Sequence, residues 1–93
     1  MNTSAETPDT RRKRLRFRSW HRGMQEMDLL LGHFADAHLA SLSDAELDQF
    51  EAVLHCGDQD LYAWVTGAQP WPAPLDNALT RRLTDFTGRG TTC

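Results

Sequence analysis

The sequence is 93 residues long, with 40% hydrophobic and 25% charged residues and a formal net charge of −3. A chain of this length buries only about 60–65% of the surface that it exposes when unfolded, which favours one small domain and excludes a many-layered active site. No apolar run approaches the roughly 18 residues that cross a bilayer, and the amino terminus lacks the apolar centre of a secretory signal. We therefore expect an intracellular protein that does not insert into a membrane.

The first two helices are predicted from composition and spacing. Residues 1–10 are polar and are expected to form a disordered tail. A short basic helix follows from about Arg11, and Gly23 is placed to end it. The second helix runs from Met24 to about Leu39, because its apolar residues recur at intervals of three and four. Gly32 is expected to weaken this helix locally.

The third and fourth helices are predicted from their end signals. Ser43-Asp44-Ala45-Glu46 is a capping box, which marks the start of the third helix. Gly57 is placed to stop that helix, and Asp58 is expected to cap a short fourth helix. Gly67 then ends the fourth helix.

A proline-rich connector precedes the last helix. Prolines at alternate positions in 70–74 indicate an extended link, and the final helix is predicted from about Leu75 to Phe86. Residues 88–93 are expected to form a flexible tail. The whole pattern predicts an all-α fold, a small five-helix bundle with a single domain over residues 11–87. The predicted core consists of Met27, Leu31, Phe34, Leu47, Phe50, Val53, Leu54, Leu61, Trp64, Val65, Leu79 and Leu83.

The charged residues are divided along the chain. Residues 11–22 contain seven of the ten Lys and Arg residues, whereas residues 23–80 contain ten acids and no Lys or Arg. This division predicts a basic end and an acidic body. The basic stretch suggests a nucleic-acid-binding module as one alternative, although an acidic body would repel a phosphate backbone. A second alternative is an antitoxin-like regulatory module that binds a protein through its acidic face.

The sequence offers little to support catalysis or metal binding. His33 and His38 are five residues apart on a helix and point in different directions, and neither lies in a zinc-binding HExxH motif. Cys56 follows His55 directly, and adjacent residues on a helix do not face each other. We therefore expect neither an enzyme nor a metal site.

The segment "RGMQE" joins the basic stretch to the second helix. Its local interpretation is a helix break at Gly23, with Glu26 stabilising the start of the second helix and Arg22 as a surface charge. This interpretation leaves Arg22 and Glu26 exposed beside a glycine that lets another backbone approach. Such an arrangement also suits a docking surface.

The chain resembles the succinate dehydrogenase assembly factor family, the small flavinylation factors known as SdhE. The resemblance covers residues 16–86 and rests on "WHRGMQEMDLLLGHF", on "LSDAELDQFEAVLHCGDQDLYAW" and on the proline-rich link that follows. Its signature is the RGxxE motif, which residues 22–26 match. The resemblance implies a five-helix protein that binds the flavoprotein subunit of succinate dehydrogenase, and of the related fumarate reductase, and promotes covalent attachment of FAD to it.

The resemblance also implies which residues bind the partner. Carried over by position, Arg22, Gly23 and Glu26 form the centre of the contact, and the additional candidates are Asp58, Leu61 and Trp64. The chain is expected to bind no cofactor stably, to act on FAD attachment in its partner, and to be a monomer. The acidic Glu6 and Asp9 argue against a transit peptide. They favour the bacterial cytoplasm, with the mitochondrial matrix as the compartment of a eukaryotic member.

Overall fold

The computed structural model describes the backbone of residues 7–91 and the side chains of residues 7–87. Over this part of the chain the structure contains helices and no strands, which confirms the predicted all-α, five-helix fold. Its α-helices are α1 (Pro8–Trp20), α2 (Gln25–His38), α3 (Asp44–Leu54), α4 (Asp58–Val65) and α5 (Ala78–Thr91). Single-turn 3₁₀ helices lie at Leu39–Ser41, after α2, and at Ala73–Leu75, before α5.

Both terminal helices are longer than predicted. The Thr7 hydroxyl accepts a hydrogen bond from the Thr10 backbone at 3.1 Å, and Pro8 suits the first helical position, so α1 includes residues expected in the tail. Helix α5 begins at Ala78 rather than at the predicted Leu75, which lies in the preceding 3₁₀ turn. It continues to Thr91, because glycine costs a helix only about 1 kcal/mol and does not by itself end one. The rest of the two predicted tails, residues 1–6 and 92–93, lies outside the described residues.

The capping box at the start of α3 is confirmed. The Ser43 hydroxyl accepts from the Glu46 backbone at 3.2 Å, and the Glu46 carboxylate accepts from the Ser43 backbone at 2.9 Å. These two bonds satisfy backbone N–H groups that no helical partner reaches. Helix α3 is thereby anchored at its first turn.

The predicted junction between α3 and α4 is wrong in two respects. Helix α3 ends at Leu54, and Gly57 is the N-cap of α4 with an extended backbone rather than the stop of α3. Asp58 is the first residue of α4 and makes no capping hydrogen bond. Its carboxylate instead accepts a bond from Arg22. The end of α4 is as predicted, since Gly67 follows it with a φ of +83°.

All five α-helices contribute residues to one core. Every predicted core residue except Trp64 is buried; Trp64 is half-buried and packs on Trp71, with 5.6 Å between ring centroids. Leu15, Leu39 and Leu42 are also buried, although they were not predicted. Leu15 escaped the prediction because the apolar residues of the basic helix do not share one face.

The basic helix is held to the acidic helices by ion pairs, so the predicted basic end and acidic body do not exist as separate surfaces. Glu51 accepts hydrogen bonds from Arg11 and Arg14, each at 3.0 Å. The Arg16 guanidinium lies 2.5 Å from Asp36 on α2. Arg12 donates to two backbone carbonyls after α2, at 3.1 and 2.8 Å. Much of the charge of α1 is therefore neutralised within the chain.

Gly32 allows the Trp20 side chain of α1 to pack closely against α2. A Cβ atom at this position would lie 2.2 Å from the Trp20 indole ring. The indole is also held by a hydrogen bond to Asp36 at 3.3 Å and by an edge contact with His33. Gly32 therefore does more than weaken the helix, because it makes the space in which Trp20 packs.

The Glu51 cluster predicts acid sensitivity. Hydrogen bonds from Arg14 and Arg11 hold the pKa of Glu51 below its ordinary value of 4.5. A lowered pKa in the folded state stabilises the fold above the unfolded pKa, and this stability is lost as the pH falls through the folded pKa. We expect Glu51→Gln to lower the free energy of unfolding by about 1 kcal/mol at pH 7. Urea denaturation at several pH values measures the free energy of unfolding. If Glu51→Gln were still less stable than the wild type at pH 2, the stabilisation would not come from the charge of Glu51.

The Gly32 contact predicts that Gly32→Ala changes the free energy of unfolding in opposite directions in the wild-type chain and in a Trp20→Ala background. In the wild-type chain, Gly32→Ala is expected to lower the free energy of unfolding by about 1–3 kcal/mol, because the added methyl group overpacks the Trp20 ring. In a Trp20→Ala background the same change should raise it, since alanine favours helix by about 1 kcal/mol over glycine. Urea denaturation of the four proteins tests this, and destabilisation of equal size in both backgrounds would contradict the steric account.

Candidate docking site

The RGxxE motif forms the turn between α1 and α2. Gly23 lies in this turn with a φ of +103°, which side-chain-bearing residues rarely adopt. A Cβ atom on Gly23 would meet no atom within 4 Å. Glycine is therefore needed here for the backbone bend and not for packing within the chain. The empty space beside Gly23 remains open to another molecule.

Asp28 closes the same turn from the first helical turns of α2. Its carboxylate accepts a hydrogen bond from the Arg22 backbone N–H at 2.7 Å. This bond spans six residues and fixes the chain just before Gly23. Sequence reasoning missed Asp28, although a carboxylate two residues beyond the motif is a possible acceptor for a backbone group left free between two helices.

The Arg22 side chain points into the protein. Its guanidinium donates to Asp58 at 2.7 Å, to the Leu54 carbonyl at 2.8 Å and to the Cys56 carbonyl at 2.6 Å. Only 10% of the side chain is exposed. The expectation of an exposed Arg22 is therefore wrong, because the end of α3 and the start of α4 present three acceptors that match the fork of donors on the guanidinium.

These bonds join four helices at one point. Carbonyls at the end of a helix lack helical partners and carry partial negative charge, so a cation is favourable there. The Arg22 guanidinium, which extends from the α1–α2 turn, is the cation at this position. The Asp58 carboxylate beside it adds a second attractive partner. The motif turn is thereby fixed against α3 and α4.

Glu26, the last residue of the motif, faces outward. It lies in the first turn of α2 and is exposed, and no hydrogen bond or ion pair involves its carboxylate in the part of the chain that the structure describes. The two charged residues of the motif thus have different environments. Arg22 holds the turn from within, whereas Glu26 is available at the surface.

Glu26 also lines a groove that lies between α2, α4 and α5. The groove has a volume of about 770 Å³. Leu29 and Tyr62 on its walls are 43% and 38% exposed. Its lining consists of Glu26, Leu29, Leu30, His33, Asp36, Ala37, Tyr62, Thr66, Phe86 and Thr87.

The other predicted partner-binding residues occupy different places. Asp58 belongs with Arg22 and Gly23 around the turn. Leu61 is fully buried, so its side chain belongs to the core and cannot touch a partner while the fold is intact. Trp64 is half-buried against Trp71 and does not line the groove.

The Arg22 guanidinium lies near the Cys56 thiol and favours the thiolate, but burial has the larger effect. Burial raises the pKa of its thiol, which disfavours the thiolate that acts as a nucleophile. Within residues 7–87 no group of three His, Cys, Asp or Glu side chains is arranged to hold a metal ion. None of the described helices combines the length and apolar character of a membrane span.

The Arg22 contacts predict that the stability of the fold depends strongly on the guanidinium group. We expect Arg22→Lys to lower the free energy of unfolding by about 2 kcal/mol, because the compact ammonium lacks the planar fork of donors with which the guanidinium reaches Asp58 and both carbonyls. Arg81→Lys is the matched control. Its side chain is 70% exposed and among residues 7–87 bonds Asp76 alone, so the change should stay within about 0.5 kcal/mol. Urea denaturation measures both, and equal effects would contradict a structural role for Arg22.

Comparison with known proteins agrees with the motif. Residues 13–87 match a family model described as "Flavinator of succinate dehydrogenase". The chain is 41% identical over 86 residues to "Succinate dehydrogenase assembly factor 2, mitochondrial" of Candida glabrata, covering 88% of this chain and 56% of the relative. It is 36% identical over 75 residues to "FAD assembly factor SdhE" of Acetobacter pasteurianus, covering 81% of this chain and 69% of the relative.

The chain spans about half the length of the mitochondrial relatives that it matches, as in Danio rerio, where 35% identity covers 90% of this chain and 54% of the relative. The bacterial relative is covered over more than two thirds of its length. The resemblance drawn from the RGxxE motif is thus confirmed, and the chain belongs to the family of succinate dehydrogenase flavinators.

Proposed function

We propose that this protein is an assembly factor that binds the flavoprotein subunit of succinate dehydrogenase and promotes covalent attachment of FAD to that subunit. The observation that carries the proposal is the RGxxE turn, in which buried bonds from Arg22 leave Gly23 and Glu26 at the surface. Membership of the flavinator family supports it. The flavoprotein subunit of fumarate reductase is a second partner of the same kind.

The proposed mechanism is positioning rather than catalysis by this chain. The described residues include no paired nucleophile and base, so the reacting groups belong to the flavoprotein and its flavin. A factor that holds the flavoprotein in a reactive geometry removes part of the entropic barrier to bond formation. The turn suits this task because it is already ordered, and an ordered surface loses little conformational freedom on binding.

We further propose that FAD stays with the partner and is not held stably by this chain. The groove beside the motif carries the carboxylates of Glu26 and Asp36. FAD carries a negatively charged pyrophosphate, which these carboxylates repel. In this proposal the protein acts as a monomer in the compartment where the flavoprotein matures. That compartment is the cytoplasm in a bacterium and the mitochondrial matrix in a eukaryote.

The nucleic-acid alternative loses its basis in the folded chain. Arg11, Arg14 and Arg16 are paired with carboxylates, and Arg12 is bonded to backbone carbonyls. A phosphate backbone would have to compete with these partners. No observation favours the antitoxin-like alternative, and the family assignment supports the flavinylation proposal over both.

The proposal predicts that Glu26 matters for function and not for stability. Co-expression of the wild-type chain with a succinate dehydrogenase flavoprotein subunit should raise the flavin fluorescence that survives denaturation of that subunit. Glu26→Ala should weaken binding of the subunit about tenfold, as loss of a central interface contact does, and should lower covalent flavin at limiting assembly factor. Its free energy of unfolding should change by less than about 0.5 kcal/mol, since the side chain is exposed.

Gln25→Ala is the matched control, because Gln25 is exposed in the same helical turn but is a variable position of the motif. It should leave both binding and flavinylation unchanged. Covalent flavin that forms equally without the assembly factor would contradict the proposed function. Equal effects of the two variants would contradict the role of Glu26.

A further inference from the structure

The groove between α2, α4 and α5 has an apolar wall that no described residue covers. Leu29 and Tyr62 line it, and they are two of the three large hydrophobic side chains that are exposed in the described part of the chain. Leu30 and Phe86 form further apolar lining between them. Exposed apolar residues scattered singly are ordinary, but residues gathered in one groove indicate a binding surface.

The charges of the groove are acidic. Glu26 and Asp36 are among its lining residues, and no Lys or Arg lies among the described ones. Asp36 already bonds Arg16 and Trp20 on its other side. The Glu26 carboxylate has no such partner among residues 7–87, so the end of the groove near the motif is the place where a cation is most favourable.

The positions of Glu26 and Asp36 indicate how far the groove extends along α2. Glu26 and Asp36 are ten positions apart on α2, which corresponds to about 15 Å along the helix axis. This distance accommodates roughly three turns of a second helix. A segment of that size covers the apolar wall while one of its ends stays near the RGxxE turn.

The walls of the groove favour a helical occupant. They belong to α2 and α5 and to residues at α4, whose backbone groups are bonded within their own helices. An extended peptide would find no strand edge to pair with, and its backbone groups would lose water without compensation. A helix satisfies its own backbone groups and presents an apolar stripe to the groove.

We propose that this groove receives an amphipathic helix of the flavoprotein subunit, with an apolar stripe of about three turns and a Lys or Arg placed against Glu26. The inference rests on the proposed function and adds the surface and the chemistry of the segment that it binds. The turn and the groove then form one continuous contact, because Glu26 belongs to both. Two adjoining contacts orient the partner better than the turn alone.

The test uses the purified flavoprotein subunit of succinate dehydrogenase as the probe. Leu29→Asp places a carboxylate on the apolar wall and is expected to weaken binding about tenfold or more. Ala45→Asp is the matched control, because Ala45 is an exposed helical residue on α3 outside the groove. Its affinity should equal that of the wild type. Circular dichroism of each variant verifies that the helices remain intact.

A cross-linking experiment identifies the occupant. A photoreactive phenylalanine derivative at Tyr62 should capture a flavoprotein peptide that is helical and amphipathic and that carries Lys or Arg. Capture of this chain's own carboxyl-terminal residues, of a second copy of the chain or of an irregular flavoprotein loop would overturn the proposal. Equilibrium dialysis with FAD alone is a further arm, and FAD binding that Leu29→Asp abolishes would likewise overturn it.

These experiments distinguish a wrong groove proposal from a wrong proposed function. If the wild-type chain binds the flavoprotein and Leu29→Asp binds it equally well, the groove proposal is wrong and the proposed function stands. If the wild-type chain does not bind the flavoprotein, both are wrong. If Leu29→Asp loses affinity while Ala45→Asp does not, and if the amphipathic helix is captured at Tyr62, the groove proposal and the proposed function are both supported.

Discussion

The hydrogen bonds of the Arg22 guanidinium are the interaction on which the rest of the structure depends. They connect the turn before α2 with the end of α3 and the start of α4, and their partners are 32 to 36 residues away in the sequence. Each carbonyl left without its donor costs about 1–3 kcal/mol where water cannot replace it. The bonds that hold these helices together therefore also fix the turn that carries Gly23 and Glu26 at the surface.

The basic helix illustrates how a charge run can mislead when it is considered alone. Much of the positive charge of α1 is matched by carboxylates of α2 and α3, with Glu51 as the shared acceptor of Arg11 and Arg14. Such partly exposed pairs contribute modestly one by one, but several of them on one helix determine where it lies. The uneven distribution of charge along the sequence thus serves folding. Glu26 lies outside these pairs and is exposed, with no partner among the side chains of residues 7–87.

Much of the fold could be predicted because its signals are local. The capping box at Ser43, the spacing of apolar residues in α2 and the glycine after α4 each involve residues within a few positions of one another. Other errors, besides those at helix ends, arose where a residue had a distant partner. Asp58 was expected to cap α4 but binds Arg22, and Gly32 was expected to weaken α2 but makes room for Trp20. No periodicity in the sequence indicates contacts of this kind.

The sequence by itself determined the helices, their order, most of the core and the motif that places the chain in its family, because these depend on local spacing and residue type. Only the tertiary structure decided that Arg22 points inward and is not exposed beside Glu26. It also decided that Leu29 and Tyr62, 33 positions apart, share one groove. The physical reason is that a side chain's role depends on which acceptors and apolar surfaces come within a few ångströms of it, and the packing of helices brings those from distant parts of the chain.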